Sequence, residues 1–584
     1  MKIILAIYNA VRDRLEVDKT RARAPRSASG LHFLVDPPCY APEPKLNPKL
    51  TVNYLSKLLS IVAVLIAPAV WAQTAPITLT LQSYQAFTEG FTRVVDAVSP
   101  GSAAEALEEM REGLGIQDLK GIDQSRPWQV AVWLDSMSVP PCLSIRVPVS
   151  NFAAFRDGLN PGLLKGEDDA NRIQQVGNYA TVWIEFGSPT ESTKAGEKAW
   201  KPESLKTAAG VAQLAIRPSA GLREEMVGAV GMGRMAIGAA MTGQNQEAMG
   251  GIDPKVMGEL MSVYFDVIET GIKGLESLEI KLDLKGDTLI VDETIVPVAN
   301  SALAGWFTVK DGNLGALSPF LNRKSPMGVA MRFEGNESLM PILKRFIGLS
   351  LQLQGLPADS EAIRETERLV EAFVPMQFAG NIDVKQGIQF GGIYQFPGKD
   401  SAKVYASMKE FLRNSMQSQV GTDKPYSSVT LDEGQRKVNG VSVDRTTMVM
   451  NLEAPIYQMP GQKEMMENLW PGGRMIFDYA LKGQDLIMGT PEHLDALLTG
   501  PAVSASPPDG VNPQTVAFGH FNVFNFINAV MAANPMMSDE DKAKLRDLDS
   551  TGTGVDFRVD LGNRLVYHAG IPLKLLRTMG QLAD

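Results

Sequence analysis

Three segments of the chain open in the same way: "VAQLAIRPSAGLREEM" from Val211, "MGVAMRFEGNESLMPIL" from Met327 and "TVAFGHFNVFNFINAVM" from Thr515. Each reads as a short apolar strand that turns at once into an amphipathic helix. A second helical segment follows, over Pro254 to Lys273, Asp359 to Phe373 and Ser538 to Leu548. Each copy then reaches a pair of extended runs, "SLEIKLDLKGDTLIVDETIV", "MQFAGNIDVKQGIQFGGIYQF" and "GVDFRVDLGNRLVYHAGI". The turns "KGD", "KQG" and "GN" offer Asp or Gly where a short hairpin needs positive φ. A more degenerate copy opens at "ITLTLQ", with helices over Tyr84 to Val98 and Ala103 to Leu114, then "WQVAVWL" and "CLSIRVPV". A strand, helix, helix, strand, strand unit repeated four times limits the fold strongly, because one such unit cannot bury its apolar face without a neighbour.

Insertions separate the first copy from the second and the third from the fourth. One contains "VPVSNFAAFRDGL" and "GNYATVWIEFGSPTES"; the other contains "YQFPGKDSAKVYASMKEFL" and "KGQDLIMGTPEHLDALL". Gly187-Ser188-Pro189 and Gly489-Thr490-Pro491 each fit a helix N-cap followed by proline at the first helical position, with Glu191 and Glu492 in the favourable first turn. The chain thus divides into two similar halves, 75–310 and 311–584, the second holding a linker over 501–514. Antiparallel hairpins flanked by helices predict the α+β class and a tandem duplication.

The order of "VPVSNFAAFRDGL", "KVNGVSVDR", "KGQDLIMGTPEHLDALL" and the closing "VDFRVDLGNRLVYHAGIP" resembles large exported bacterial proteins of unknown function, present in many divergent copies per genome. The resemblance is one of pattern over most of the chain after residue 72. It implies no catalytic residues.

The stretch "LSKLLSIVAVLIAPAVWAQ" reads as a secretory signal. Lys45, Lys49 and Lys57 flank it, Leu58 to Ala67 is apolar except for Ser60, Pro68 breaks the helix, and Val70 and Ala72 are the small residues before Gln73. Residues 49–72 are therefore expected to be removed by cleavage between Ala72 and Gln73, an uncleaved anchor being the alternative. Residues 1–48 lack any sustained period and are expected to be disordered or a misassigned start, since no methionine occurs between Met1 and Met110. Without residues 1–72, which hold 10 of the 56 basic and 5 of the 66 acidic residues, the chain carries 46 against 61, about −15. An acidic balance without a long basic run gives no footprint for nucleic acid, and no stable transmembrane span is expected after cleavage. The 512 residues left exceed a single core. Cys142 would be the one cysteine remaining, and it reads as a buried strand residue.

Few residues point to chemistry. "GAVGMGRMAIGAA", with Gly228, Gly231, Gly233 and Gly238, departs from the dinucleotide fingerprint and sits in a helical pattern, so close helix packing is the expectation. "DSTGTGVDFRVD" sets Asp549, Thr551, Thr553, Gly554 and Asp560 at the spacing of a calcium loop, yet with Thr at two ligand positions and a short Asp at the last. It is a weak metal candidate. His493, His520 and His568 stand alone, without H-x-x-x-H or C-x-x-C, and His520 and His568, in apolar strands, read as hydrogen-bonded structural residues. Neither a catalytic motif nor a cofactor is expected. Methionines gather in "EMVGAVGMGRMAIGAAM", "VMGELM", "TTMVMN", "KEMMENL" and "NPMMSDE", where they fill a core or line a greasy groove. The expected role is an exported, non-catalytic binding or interaction protein with a protein or apolar small-molecule partner. A carrier or sensor of a lipid or peptide is the alternative, and an envelope-polymer hydrolase the second.

Overall fold

The computed structural model describes residues 77–583 apart from 114, 135–140, 161–172, 186–199, 203–204, 206–207, 209, 243–252, 354–355, 385–386, 415–419, 423, 455–456, 458–461, 501–506, 508, 533–539, 541–542, 544–546 and 548. The signal over 49–72 with its Ala72/Gln73 junction, the extension 1–48, the Gly187 to Pro189 cap, half of 501–514 and most of 538–548 lie outside the described residues. The chain is mixed α+β, built on a large antiparallel sheet. It forms two compact units, one of 80–208 with 576–583 and one of 77–79 with 210–575.

After an opening strand β1 (Ile77–Leu81), the strands of the smaller unit, β2 (Trp128–Trp133), β3 (Cys142–Pro148), β4 (Ile173–Val176) and β5 (Tyr179–Glu185), pair in the order β2-β3-β5-β4. β3 is buried at every position. Its Arg146 escapes an uncompensated burial by lying 4.5 Å over the Trp200 ring and donating to Gln129 Oε1. Cys142 is buried with Ala131 and Trp133, as a strand cysteine should be. Helices α1 (Tyr84–Val98), α2 (Ala103–Gly113) and α3 (Phe152–Asp157), with helical residues 576–583 at the end of the chain, belong to the same unit. Ser83 and Asn151 cap α1 and α3 by accepting from the amides of Ala86 and Ala154, at 3.0 and 3.1 Å.

The larger unit is organised by one continuous run of strands: β6 (Ala212–Ile216), β7 (Leu275–Lys285), β8 (Thr288–Pro297), β9 (Met327–Phe333), β10 (Met376–Val384), β11 (Ile388–Gln395), β12 (Tyr426–Val438), β13 (Val441–Met450), β14 (Arg474–Lys482), β15 (Asp485–Gly489), β16 (Thr515–Phe521), β17 (Val555–Leu561) and β18 (Leu565–Pro572). They pair antiparallel in the spatial order β6-β7-β8-β18-β17-β16-β9-β10-β11-β15-β14-β13-β12. The element order β6, α4 (Ala220–Thr242), α5 (Pro254–Gly274), β7, β8 returns as β9, α7 (Met340–Leu353), α8 (Glu361–Phe373), β10, β11. Strand β16 likewise leads to a helix, α12 (Val523–Ala532), and on to β17 and β18, while α6 (Ala302–Phe307) follows β8. At the centre β9 and β16 pair so closely that a Cβ on Gly519 would meet the Gly328 carbonyl, which confines position 519 to glycine.

Because side chains alternate across a strand, the registers assign each residue to one of two sheet faces. On one face Phe518, Ala330, Ala379, Ile393, Ile487, Ala480 and Val443 lie in a row across seven strands. The 3-10 segment Leu314–Phe320 and helix α11 (Pro491–Thr499) cover that row with Leu314, Leu317, Leu494, Leu497 and Leu498, all buried. On the other face Phe396, Tyr479 and Leu486 pack with Val404, Tyr405 and Met408 of α9 (Ser401–Asn414) and with Leu369 and Phe373 of α8. Helices α9, α8, α7, α5 and α4 stand side by side in that order. Among the described residues no helix is long and apolar enough to cross a membrane.

Candidate functional site

Four neighbouring strands of the larger unit, β7, β8, β18 and β17, carry opposite chemistry on their two faces. One face presents Lys281, Asp292, His568 and Arg558 in a cross-strand row, with Asp283, Asp556, Glu279 and Asp560 in the rows beside it. His568 Nδ1 meets Asp292 Oδ1 within this charged set. The opposite face is a lattice of three rows: Leu282, Val291, Ala569, Phe557; Ile280, Glu293, Tyr567, Val559; and Leu278, Ile295, Leu565, Leu561. Every large apolar side chain in it is only half-buried, in contrast to β3 of the smaller unit.

An apolar face left half-covered is costly, because its area stays partly in water. The helical hairpin of the same repeat has the same character. Leu260 and Val263 of α5 are spent on α7, where they pack with Leu349. Met232 and Met235 of α4 are 62% and 68% exposed, and Ile237, Tyr264 and Ile268 are exposed as well. Polar contacts hold the hairpin together: Arg234 reaches Asp266 and the Ser262 carbonyl, and Arg345 of α7 lies 3.4 Å from Asp266. Arg223 fixes its base by donating to the Pro218 and Leu275 carbonyls at 2.9 and 3.1 Å. Gly228, Gly231, Gly233 and Gly238 lie along α4, but a Cβ at any of them would stand in open space. The expectation of close helix packing at these glycines is therefore corrected: among the described residues, none of them seats a neighbour.

Glu293 is the exception within the apolar lattice. Among the described residues no hydrogen bond or ion pair reaches it, and burial raises its carboxyl above the usual range. Tyr567, directly opposite on β18, is raised by burial and then by the Glu293 charge. The signal was present in "TLIVDETIV", whose period of two sets Glu293 among Leu289, Val291 and Ile295.

A second cluster assembles from distant sequence on the other face, beside the buried row. Asp383 Oδ2 accepts from Ser325 Oγ at 3.1 Å and lies 2.8 Å from His493 Nε2. His493 Nδ1 stands 3.4 Å from Thr490 Oγ1, and His520 Nε2 lies 3.0 Å from the Ser325 carbonyl. Serine, imidazole and carboxylate are thus together, but both the hydroxyl and the ring address the same carboxylate oxygen, so Ser325 is not aligned on a base. His520 is held below its ordinary value by burial, against the opposing effect of its Ser325 contact. Glycine makes the cluster possible: a Cβ on Gly328 would strike the His520 ring, and one on Gly391 would strike His493. Thr490 does cap α11, with Pro491 at the first turn, but its hydroxyl bonds the Phe390 carbonyl at 3.2 Å rather than a helix amide.

Two buried carboxylates of the larger unit are well supplied with donors. Asp478 is fully buried and takes Arg445 at 2.6 Å and Arg436 at 2.7 Å, Arg436 also bridging to Asp495. Asp444 accepts from Tyr405 at 2.7 Å and from the Gly434 amide at 2.7 Å, and Lys409 stands 3.2 Å away. Burial opposes the charge on Asp444, but these donors hold it below its ordinary range. The residues of the calcium-like loop turn to separate tasks. Asp549 pairs with Lys574 and caps the Thr551 amide at 3.0 Å, which draws it down to about 2. Thr553 donates to the Ser550 carbonyl at 2.7 Å, and Asp560 accepts from Thr515 at 2.6 Å and Arg558 at 3.1 Å. Among the described residues no group of three or more His, Cys, Asp or Glu is placed to hold a metal. No family model, no curated protein and no solved structure matches the chain, so the half-covered apolar lattice around Glu293 and Tyr567 is the site on which a functional reading rests.

Proposed function

We propose that the chain is an exported, non-catalytic carrier of an apolar ligand, built from two similar halves by tandem duplication. The lattice on β7, β8, β18 and β17 carries this reading, because twelve adjoining positions hold ten apolar side chains and none of the large ones is fully buried. A ligand that covered the lattice would remove that area from water, at about 25 cal/mol per Å². The exposed methionines of α4 suit such a role, since a flexible thioether adapts to more than one ligand shape. Export rests on the basic flank, apolar run and small residues before Gln73. Duplication is supported by the recurring element order and by the pairing of β9 with β16, the opening strands of the third and fourth copies.

Native mass spectrometry of the full chain, purified from its own envelope without detergent, tests the reading. The expected spectrum shows a chain beginning at Gln73 and an adduct of lipid mass that survives desalting. A bare chain that also takes up no fluorescent acyl probe would exclude the carrier role.

A further inference from the structure

The apolar lattice holds two polar side chains, and they stand directly opposite each other in the cross-strand register, Glu293 on β8 and Tyr567 on β18. Apolar neighbours enclose the pair: Ile280 and Val559 at its sides, Val291 and Ala569 above, Ile295 and Leu565 below. Opposed residues of an antiparallel pair hold their Cβ atoms about 4.5–5.5 Å apart. A carboxyl and a phenol therefore meet in one small polar spot on an otherwise greasy surface.

The opposite face sharpens the contrast. There Lys281, Asp292, His568 and Arg558 occupy one row, in which His568 meets Asp292 and Arg558 pairs with Asp560. No basic side chain reaches Glu293 among the described residues, and the strands flanking it offer only Ile280 and Tyr567 at its level. A carboxylate in that position gains most from a partner that brings both positive charge and N–H donors. An aromatic ring beside it adds attraction for the same cation through its π face. The net charge of −10 favours the approach of a cation over an anion.

We propose that Glu293 and Tyr567 form the headgroup anchor of the apolar site, and that they select a single-chain amphiphile ending in an ammonium group. The alkyl chain would lie along the Leu, Ile and Val side chains of β7, β8 and β17 while its nitrogen sat between the carboxylate and the phenol ring. This inference rests on the carrier reading above but is narrower, since that reading commits to no headgroup.

The test is titration calorimetry of the full chain with dodecylammonium, dodecyl sulfate and nonionic dodecyl maltoside, each below its micelle concentration. Dodecylammonium is expected to bind about 10-fold tighter than the maltoside or more, with dodecyl sulfate weakest. Glu293→Gln should lose about 10-fold in dodecylammonium affinity and change maltoside affinity by less than about 2-fold. Tyr567→Leu should weaken dodecylammonium by a smaller factor, and its far-ultraviolet circular dichroism and that of Glu293→Gln should match the parent chain. Equal affinity for all three probes, or an ammonium preference that survives Glu293→Gln, would overturn the headgroup assignment while leaving an apolar site. Absence of binding by any of the three would overturn the assignment together with the carrier reading.

Discussion

Asp478 and Glu293 are both strand carboxylates, and their surroundings give them opposite roles. Asp478 is fully buried, but two guanidinium groups saturate it, and removing one member of such a set leaves the others uncompensated at a cost of about 3–5 kcal/mol. Glu293 has no such set, so folding favours its protonated form. A carboxyl raised on folding contributes its stability in full below the unfolded value, about 4.3, and that contribution is lost as the pH rises through the raised value. Glu293→Gln should therefore match the parent chain in urea midpoint near about pH 4 and exceed it near about pH 8. A midpoint difference independent of pH would mean that the fold does not raise the Glu293 carboxyl. Retaining a destabilising acid on a greasy face is the expected signature of a binding residue, because sites for function are kept at the expense of stability.

Elements differ in how much glycine they can replace. On α4 the glycines have open space where a side chain would project, so Gly231→Ala and Gly238→Ala should each stabilise the chain by about 0.5–1 kcal/mol through helix propensity alone. On β16 the opposite holds, since a Cβ on Gly519 meets the backbone of Gly328 and Val329 across the β9 pair. Gly519→Ala should lower the urea midpoint, and a rise at 519 or a fall at 231 and 238 would contradict the placement of these elements. Sequence periodicity reached most of them. Tyr84–Val98 was expected and observed with the same bounds, and Pro254–Gly274 and Glu361–Phe373 differ from expectation by one or two residues. The hairpin of β12 and β13 left its mark in "KVNGVSVDR", where Asn439 and Gly440 take φ of 48° and 79° as a two-residue turn requires. What periodicity could not reach was the pairing of distant strands. Nothing local in "NIDVK" and "PEHLD" brings Asp383 to His493, and nothing in "GLREEM" onward shows that the glycines of α4 have no neighbour among the described residues.

At the scale of the molecule, strands that neighbour one another in space also come from one long stretch of sequence. The ten strands from β18 to β12 in the sheet order all lie between Met327 and Pro572, and the two central clusters draw every buried member from Leu314 to Phe518. A chain segment that contains its own strands and its own core needs no outside residue to fold. If the two halves arose by duplication of a self-sufficient ancestor, the fragment 311–584 should unfold cooperatively in urea with an intact antiparallel-sheet circular dichroism spectrum. It would differ from the full chain in one respect. Without β8, the edge of β18 from Leu565 to Pro572 presents unpaired backbone groups beside Tyr567, Ala569 and Ile571. An exposed apolar edge recruits another strand, so the fragment should associate in a concentration-dependent way, seen as a shift in sedimentation velocity. Replacing Val566 and Gly570 by lysine should suppress the association without abolishing the cooperative transition, because both lie on the charged face of the sheet. A fragment lacking a cooperative transition would show that the second half depends on β6, β7 and β8, and the duplication reading would then lose its folding argument.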